Sequence, residues 1–109
     1  SRGRMSYPRL VDLYARRPAF LYGYYPRKGA LIPCADADIV LVDPNIEYEM
    51  THEMVISKAG WTPYAGRVFR GSTQAVYLRG KKISENGICL AEPGTGEFVM
   101  PRRNRALLK

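Results

Sequence analysis

The spacing of apolar and polar positions changes once along the 109 residues, near Gly29. Before it, Leu10, Val11, Leu13 and Tyr14 recur as one helical face would, while Arg9, Asp12, Arg16 and Arg17 fall largely on the wet side. Ser6 stands where a side-chain oxygen could cap the first turn, and Pro8 is tolerated there because that turn needs no N–H from it. Pro18 predicts a restart into a second short helical piece, "PAFLYG", and Gly23 a left-handed C-cap. The helical part should end by about residue 23.

After Gly29 the punctuation is Gly, Pro, Asn and Asp every several residues with β-branched and aromatic runs between, the pattern of short strands and tight turns. "ALI" is one strand candidate. "DIVLV" is a second, and its unbroken aliphatic run predicts burial on both faces. Asp43-Pro44-Asn45 is expected to turn the chain into "IEYEM", whose alternation predicts a half-exposed edge strand with its Glu side chains in water. "ISKAGWTPYAGRVFRG" is expected to be an ordered loop packed by Trp61, Tyr64 and Phe69. A meander follows, with turns at Gly80 and Asn86-Gly87, before a Gly- and Pro-rich stretch and the basic run "PRRNRALLK". No internal repeat is present.

One domain and one modest core fit in 12.3 kDa. The formal charge of +7 suggests an anionic partner, but the distribution weakens this, because an acidic middle from Asp36 to Glu53 breaks any single basic stripe. Cys34 and Cys89 allow one disulfide at most, show no zinc-knuckle spacing, and are expected as two buried thiols in a reducing cytosol. The apolar runs are too short for a membrane span and the Arg-rich start lacks the apolar core of a secretory signal, so a cytoplasmic location is expected.

Candidate chemistry centres on "CADADIVLVDP". Asp36, Asp38 and Asp43 are oxygen ligands suited to hard cations, and Cys34 and His52 could extend them toward zinc. The competing expectation is a polar turn feeding a buried strand, since Asp at a strand entrance commonly accepts turn hydrogen bonds. Asp36 to Glu47 has the ends of an EF-hand loop, yet Ile39, Val40 and Val42 stand between them. A single histidine, His52, excludes a two-histidine zinc motif within this chain. Ser57 with Lys58, or Cys34 with His52, lacks a nucleophile elbow or an orienting third group. Gly94-Thr95-Gly96 has no strand-to-helix context for a phosphate and is expected to be a turn. "YGYYPRKG" could stack bases and contact phosphates, although aromatics after a helix more often pack that helix on its neighbour. The residues alone describe a helix followed by a β module with no self-sufficient active site: no catalytic, cofactor-binding or metal-binding residue is assigned.

The stretch "RLVDLYARRPAFLYGYYPRKGALIPCADADIVLVDP" resembles the segment that follows the catalytic barrel in cyclic amidohydrolases of the dihydropyrimidinase, hydantoinase, allantoinase and dihydroorotase group. Arg9-Leu10-Val11, Pro18-Ala19, Gly23 through Gly29 and Asp36-Ala37-Asp38 carry the likeness. "SKAGWTPYAGRVFRGSTQAVYLRGKKI" and "PGTGEFVMPRR" extend it over most of the chain. The resemblance implies a mainly β fold with an N-terminal helix, namely the last helix of an otherwise missing (β/α)8 barrel plus the C-terminal part of a composite β-sandwich. Residues 1–28 would be that helix and its connector, 29–92 the sandwich segment, and 93–109 a basic tail. The parent enzyme would open a cyclic amide with a binuclear zinc or similar divalent centre, whose ligands belong to barrel strands and match no residue here. Two departures stand out: Cys34 occupies a position usually held by glycine, and Arg17 replaces an asparagine expected to cap the helix at Pro18.

Without the strands that complete the sandwich in that family, apolar faces and strand edges are expected to lie open. The expected partner is therefore the barrel portion, on the same or a separate polypeptide, or a second copy in a homo-oligomer. The rival readings are a stand-alone basic β module for nucleic acid or an acidic protein, and a noncatalytic scaffold relative.

Overall fold

The computed structural model describes residues 5–102, which form mainly β structure behind one N-terminal helical segment. Residues 103–109, most of "PRRNRALLK", and the early Arg2 and Arg4 lie outside the described residues. Helix α1 (Tyr7–Val11), a π-helical turn (Asp12–Arg16) and helix α2 (Arg17–Leu21) run on without a break. Ser6 caps as predicted: its backbone is extended and its Oγ accepts the Arg9 N–H at 3.4 Å, with Pro8 in the first turn. The second helical piece expected at Pro18 is present as α2, but the chain enters it without a break. The Arg17 N–H reaches back to the Asp12 carbonyl in a wider turn that seats a proline lacking an N–H, so no cap is needed there.

Gly23 takes the left-handed conformation at φ +78, and its carbonyl accepts the Arg102 N–H at 2.7 Å. A Cβ on Gly23 would lie 2.1 Å from the Arg102 carbonyl oxygen, so glycine is what lets the returning chain cross the helix end. The connector, residues 24–38, contains no strand. "ALI" sits between Gly29 at φ +79 and Pro33, too short to pair, and local bonds shape the segment instead. Lys28 N–H donates to the Tyr24 carbonyl at 3.0 Å and Asp36 N–H to the Arg27 carbonyl at 2.8 Å.

Cys34 adopts φ +71, which accounts for the glycine expected at its position. Left-handed backbone costs a residue with a Cβ about 1–2 kcal/mol, while glycine adds about 0.4–1 kcal/mol of unfolded-state entropy. Cys34→Gly should therefore stabilise by up to about 1 kcal/mol. A lower denaturant midpoint for the variant would show that the Cys34 side chain contributes more than its backbone strain. Both cysteines are exposed free thiols, not the buried pair expected.

Strands β1 (Ile39–Glu49), β2 (Val68–Leu78), β3 (Lys81–Glu85) and β4 (Ile88–Cys89) form one antiparallel sheet in chain order. The predicted meander is present. Arg79-Gly80 and Asn86-Gly87 are two-residue turns with positive φ at both positions, the geometry that matches strand twist. Asp43-Pro44-Asn45 does not turn the chain: it lies inside β1, where the register jumps from Asp43 opposite Ser72 to Glu47 opposite Arg70. Pro44 cannot donate to a ladder, so the strand bulges there, and Asn45 N–H bonds to Asp43 Oδ1 at 2.8 Å. Beyond the bulge Glu47 and Glu49 are exposed as predicted, and Tyr48 stacks on Phe69 at 5.9 Å.

The loop from 50 to 67 is closed at its base by Met50 N–H to the Arg67 carbonyl and Gly66 N–H to the Met50 carbonyl. Tyr64 meets Phe69 edge-on at 6.1 Å, but Trp61, expected to pack the loop, is 62% exposed.

Among the described residues the only buried apolar side chains are Ala19 and Ala75. "DIVLV" does form a strand, but Val40, Leu41 and Val42 are 57%, 48% and 56% exposed, so neither face is covered as expected. The accessible surface is 9322 Å², against about 6,100 Å² for a folded monomer of this mass. The radius of gyration is 16.8 Å, against about 13 Å for a compact chain of this length. These residues make well-formed elements around almost no core.

Candidate functional site

The "DAD" stretch enters β1 beside the β2–β3 turn. Asp38 Oδ1 accepts the Arg79 N–H at 2.9 Å, and its other oxygen pairs with Lys28 Nζ. Asp36 Oδ2 pairs with Lys28 Nζ at 2.8 Å and with Arg27 Nε at 3.0 Å. Gly80 N–H donates to the Ala37 carbonyl at 2.9 Å, so the turn is bonded to the connector at two adjacent amides. Arg79 also donates to the Thr95 carbonyl at 2.8 Å and pairs with Glu97 at 3.2 Å. Neither aspartate is a spare oxygen ligand: each is held by cations and amides of this chain.

The Lys28 hydrogen bond is the chief cause that holds the Asp36 carboxyl below its ordinary 3.8; burial opposes it, and the Arg27 hydrogen bond and the two positive charges add to the lowering. For Lys28, burial works to lower the pKa, but the bonds to Asp36 and Asp38 outweigh it and raise the ammonium above its ordinary 10.5. A carboxyl depressed in the folded state stabilises above its unfolded pKa, and that contribution is lost as pH falls through the folded value. An ammonium raised in the folded state stabilises below its unfolded pKa and loses that contribution as pH rises through the folded one. The connector should therefore be firm between about pH 4 and about pH 10 and loosen beyond either side. A titration of the Asp36 carboxyl carbon by NMR checks this; a midpoint at or above 3.8 would refute the pairing.

The other candidates are dispersed. Asp43 is spent on the bulge at Asn45. His52 lies past the far end of β1, roughly 30 Å of strand from Asp38, and its Nδ1 accepts the N–H of buried Thr62 at 3.2 Å. That bond staples the 50–67 loop, a structural role for which a lone histidine carries no sequence signal. The carbonyl of Ser57 accepts the Gly60 N–H in an exposed turn, and Lys58 is exposed beside it. Gly94 is in a turn, as predicted, and the Thr95 carbonyl serves Arg79. Tyr25 of "YGYYPRKG" packs edge-on against Phe20 at 6.3 Å while Arg27 and Lys28 are held by acids, so the stretch packs the helix end. Arg9, Arg16 and Arg17 converge on Asp12; the Arg17 hydrogen bond is the chief cause of its lowered pKa.

Among the described residues no three His, Cys, Asp or Glu side chains are placed to share a metal ion, and no helix is long and apolar enough to cross a membrane. The donor set does not fit a binuclear centre: one histidine already engaged, and aspartates neutralised by lysine and arginine. No reaction step can be drawn through a metal on these residues.

No family model matches the chain. It is 37% identical to a D-hydantoinase of Ralstonia pickettii over 101 residues, which is 93% of this chain and 22% of that protein. It is 34% identical to an L-hydantoinase of Paenarthrobacter aurescens over 106 residues, 97% of this chain and 23% of that one. Among solved structures, the L-hydantoinase (dihydropyrimidinase) from Arthrobacter aurescens superposes with a TM-score of 0.84 at 35% identity, over 92% of this chain and 22% of that one. The dihydropyrimidinase from Brevibacillus agri gives 0.80 at 28% identity, over 91% and 22%. The chain thus spans under a quarter of the length of these relatives. Residue identity and backbone path agree, and this chain is homologous to the C-terminal segment of the cyclic amidohydrolases of the hydantoinase and dihydropyrimidinase group.

Proposed function

We propose that this chain is a structural, noncatalytic part of a metal-dependent enzyme that hydrolyses a ring amide of the hydantoin or dihydropyrimidine type. Its helix would be the last of the catalytic barrel and its sheet one part of a β-sandwich beside it. It would brace the barrel and contribute to contacts between subunits. The observation that carries this is β1: an aliphatic run suited to burial on both faces, with Val40, Leu41 and Val42 about half exposed on each. A domain that worked alone would not leave it open. The binuclear centre and the groups that act on substrate would belong to the barrel, and this chain's part is to hold that barrel's last helix against the sheet.

The test is a chimera of the Ralstonia pickettii D-hydantoinase in which this chain replaces the matching segment. The chimera should fold, load metal and open hydantoin, whereas the same enzyme lacking the segment should be insoluble or inactive. Ring opening by the isolated 109-residue chain with zinc or manganese added would overturn the noncatalytic assignment.

A further inference from the structure

The helical segment packs on its own connector through Ala19, Gly29 and the Phe20–Tyr25 ring pair, and the strands pack on each other, with little direct contact between the described helices and strands. Besides the Gly80 N–H on the Ala37 carbonyl, two tethers between the described residues join them. One is the Arg102 N–H on the Gly23 carbonyl at the helix end. The other is Asp38, which holds Lys28 of the connector with one carboxylate oxygen and the Arg79 amide of the β2–β3 turn with the other. Arg79 sits at φ +49, a conformation that a turn of this type usually gives to Asn, Asp or Gly. Its guanidinium continues to Thr95 and Glu97, on the segment that ends at Arg102, so both tethers meet at this turn. The Lys28 and Asp38 side chains are 21% and 31% exposed, dry enough to strengthen the pair and wet enough for salt to reach it.

We infer that Asp38 is an electrostatic latch fixing the helical body to the sheet, and that its ion pair can open while the sheet stays folded. This goes beyond the bracing role proposed above and does not depend on what the parent enzyme hydrolyses. The latch sets the angle between the helical body and the sheet. It is therefore a point where ionic conditions act on that angle through the Lys28–Asp38 pair.

Amide hydrogen exchange on the whole chain, in whatever oligomeric state it adopts, tests this with Asp38→Asn, Asp38→Ala and the half-buried control Asp43→Asn, which lies away from Lys28 and Arg79 and keeps an acceptor oxygen for Asn45. In Asp38→Ala the Gly80 and Asp36 amides should exchange at least about tenfold faster, in Asp38→Asn less so because an acceptor oxygen remains, and amides along the β1–β2 ladder should keep their wild-type rates. Raising salt from about 50 mM to about 1 M should speed those same amides more in the wild type than in Asp38→Asn, which keeps only the pairs of Asp36 and Arg79. Unchanged exchange at Gly80 and Asp36 in both Asp38 variants overturns the latch. So does a rise at the ladder amides in parallel, which would make Asp38 an ordinary support of the sheet. A salt response in Asp38→Asn equal to the wild type's, or an effect of Asp43→Asn as large, overturns its ionic basis.

Discussion

Replacing Gly29 by alanine is expected to detach the connector from the helix and to be, with the same change at Gly23, among the most damaging single-methyl changes at the described glycines. A Cβ at Gly29 would lie 2.6 Å from Ala19 Cβ and 2.7 Å from the Ala15 carbonyl oxygen. Ala19 is one of only two buried apolar residues among those described, and the carbonyl belongs to the helix backbone, so neither can retreat cheaply. The φ of +79 adds about 1–2 kcal/mol of backbone strain to the overpacking cost of about 1–3 kcal/mol. A total near 3 kcal/mol is a large fraction of the stability of a small domain. Gly87→Ala is the matched control, because Gly87 has φ +81 but nothing within 4 Å of an added Cβ, leaving strain alone. Thermal melts of the two variants should differ by several degrees. Equal melting temperatures would mean that the close approach at Gly29 contributes nothing.

Features decided within a few residues were legible in the sequence, because their chemistry is local. Ser6 caps the turn that starts next to it, Gly23 supplies its own left-handed backbone, and Asn86-Gly87 closes a hairpin between neighbouring strands. Features decided at a distance were not. Pro18 looked like a restart because the Asp12 carbonyl that widens the turn ahead of it follows no proline rule. Pro44 looked like a turn because its fate depended on β2 arriving opposite to absorb a bulge. The role of Asp38 needed Arg79, 41 residues away, to be beside it. The acid cluster was visible as unusual, and its resolution into ion pairs came only from the fold. Cys34 lies between these cases: the likeness to hydantoinases marked the position as one for glycine, and its φ of +71 is the reason. Burial was misjudged for "DIVLV" for a different cause. Aliphatic runs report what a strand is built to face, and the covering surface is not supplied by the described residues.

That mismatch leads to the second large effect. Changing Val40, Leu41 and Val42 together to threonine should leave the sheet intact and abolish its docking. Threonine keeps strand propensity, and all three positions are about half exposed, so the folded chain should lose little stability. In a docked state the same positions would be covered on both faces. Each wild-type side chain would then gain about 1 kcal/mol from completing its burial, and each hydroxyl would instead cost about 1–3 kcal/mol if left without a partner. Three such changes correspond to a loss of well over a hundredfold in association. In the chimera described above this should appear as a soluble yield and ring-opening activity close to those of the enzyme lacking the segment. In the isolated chain it should appear as weaker self-association by sedimentation, with the circular dichroism of the sheet unchanged. If the triple variant assembles and supports turnover like the wild type, β1 is not a docking strand and the bracing role falls with it. If the sheet itself is lost, single changes at Val40 and Val42, which share one side of the strand by alternation, against Leu41 on the other, will show which face the partner covers.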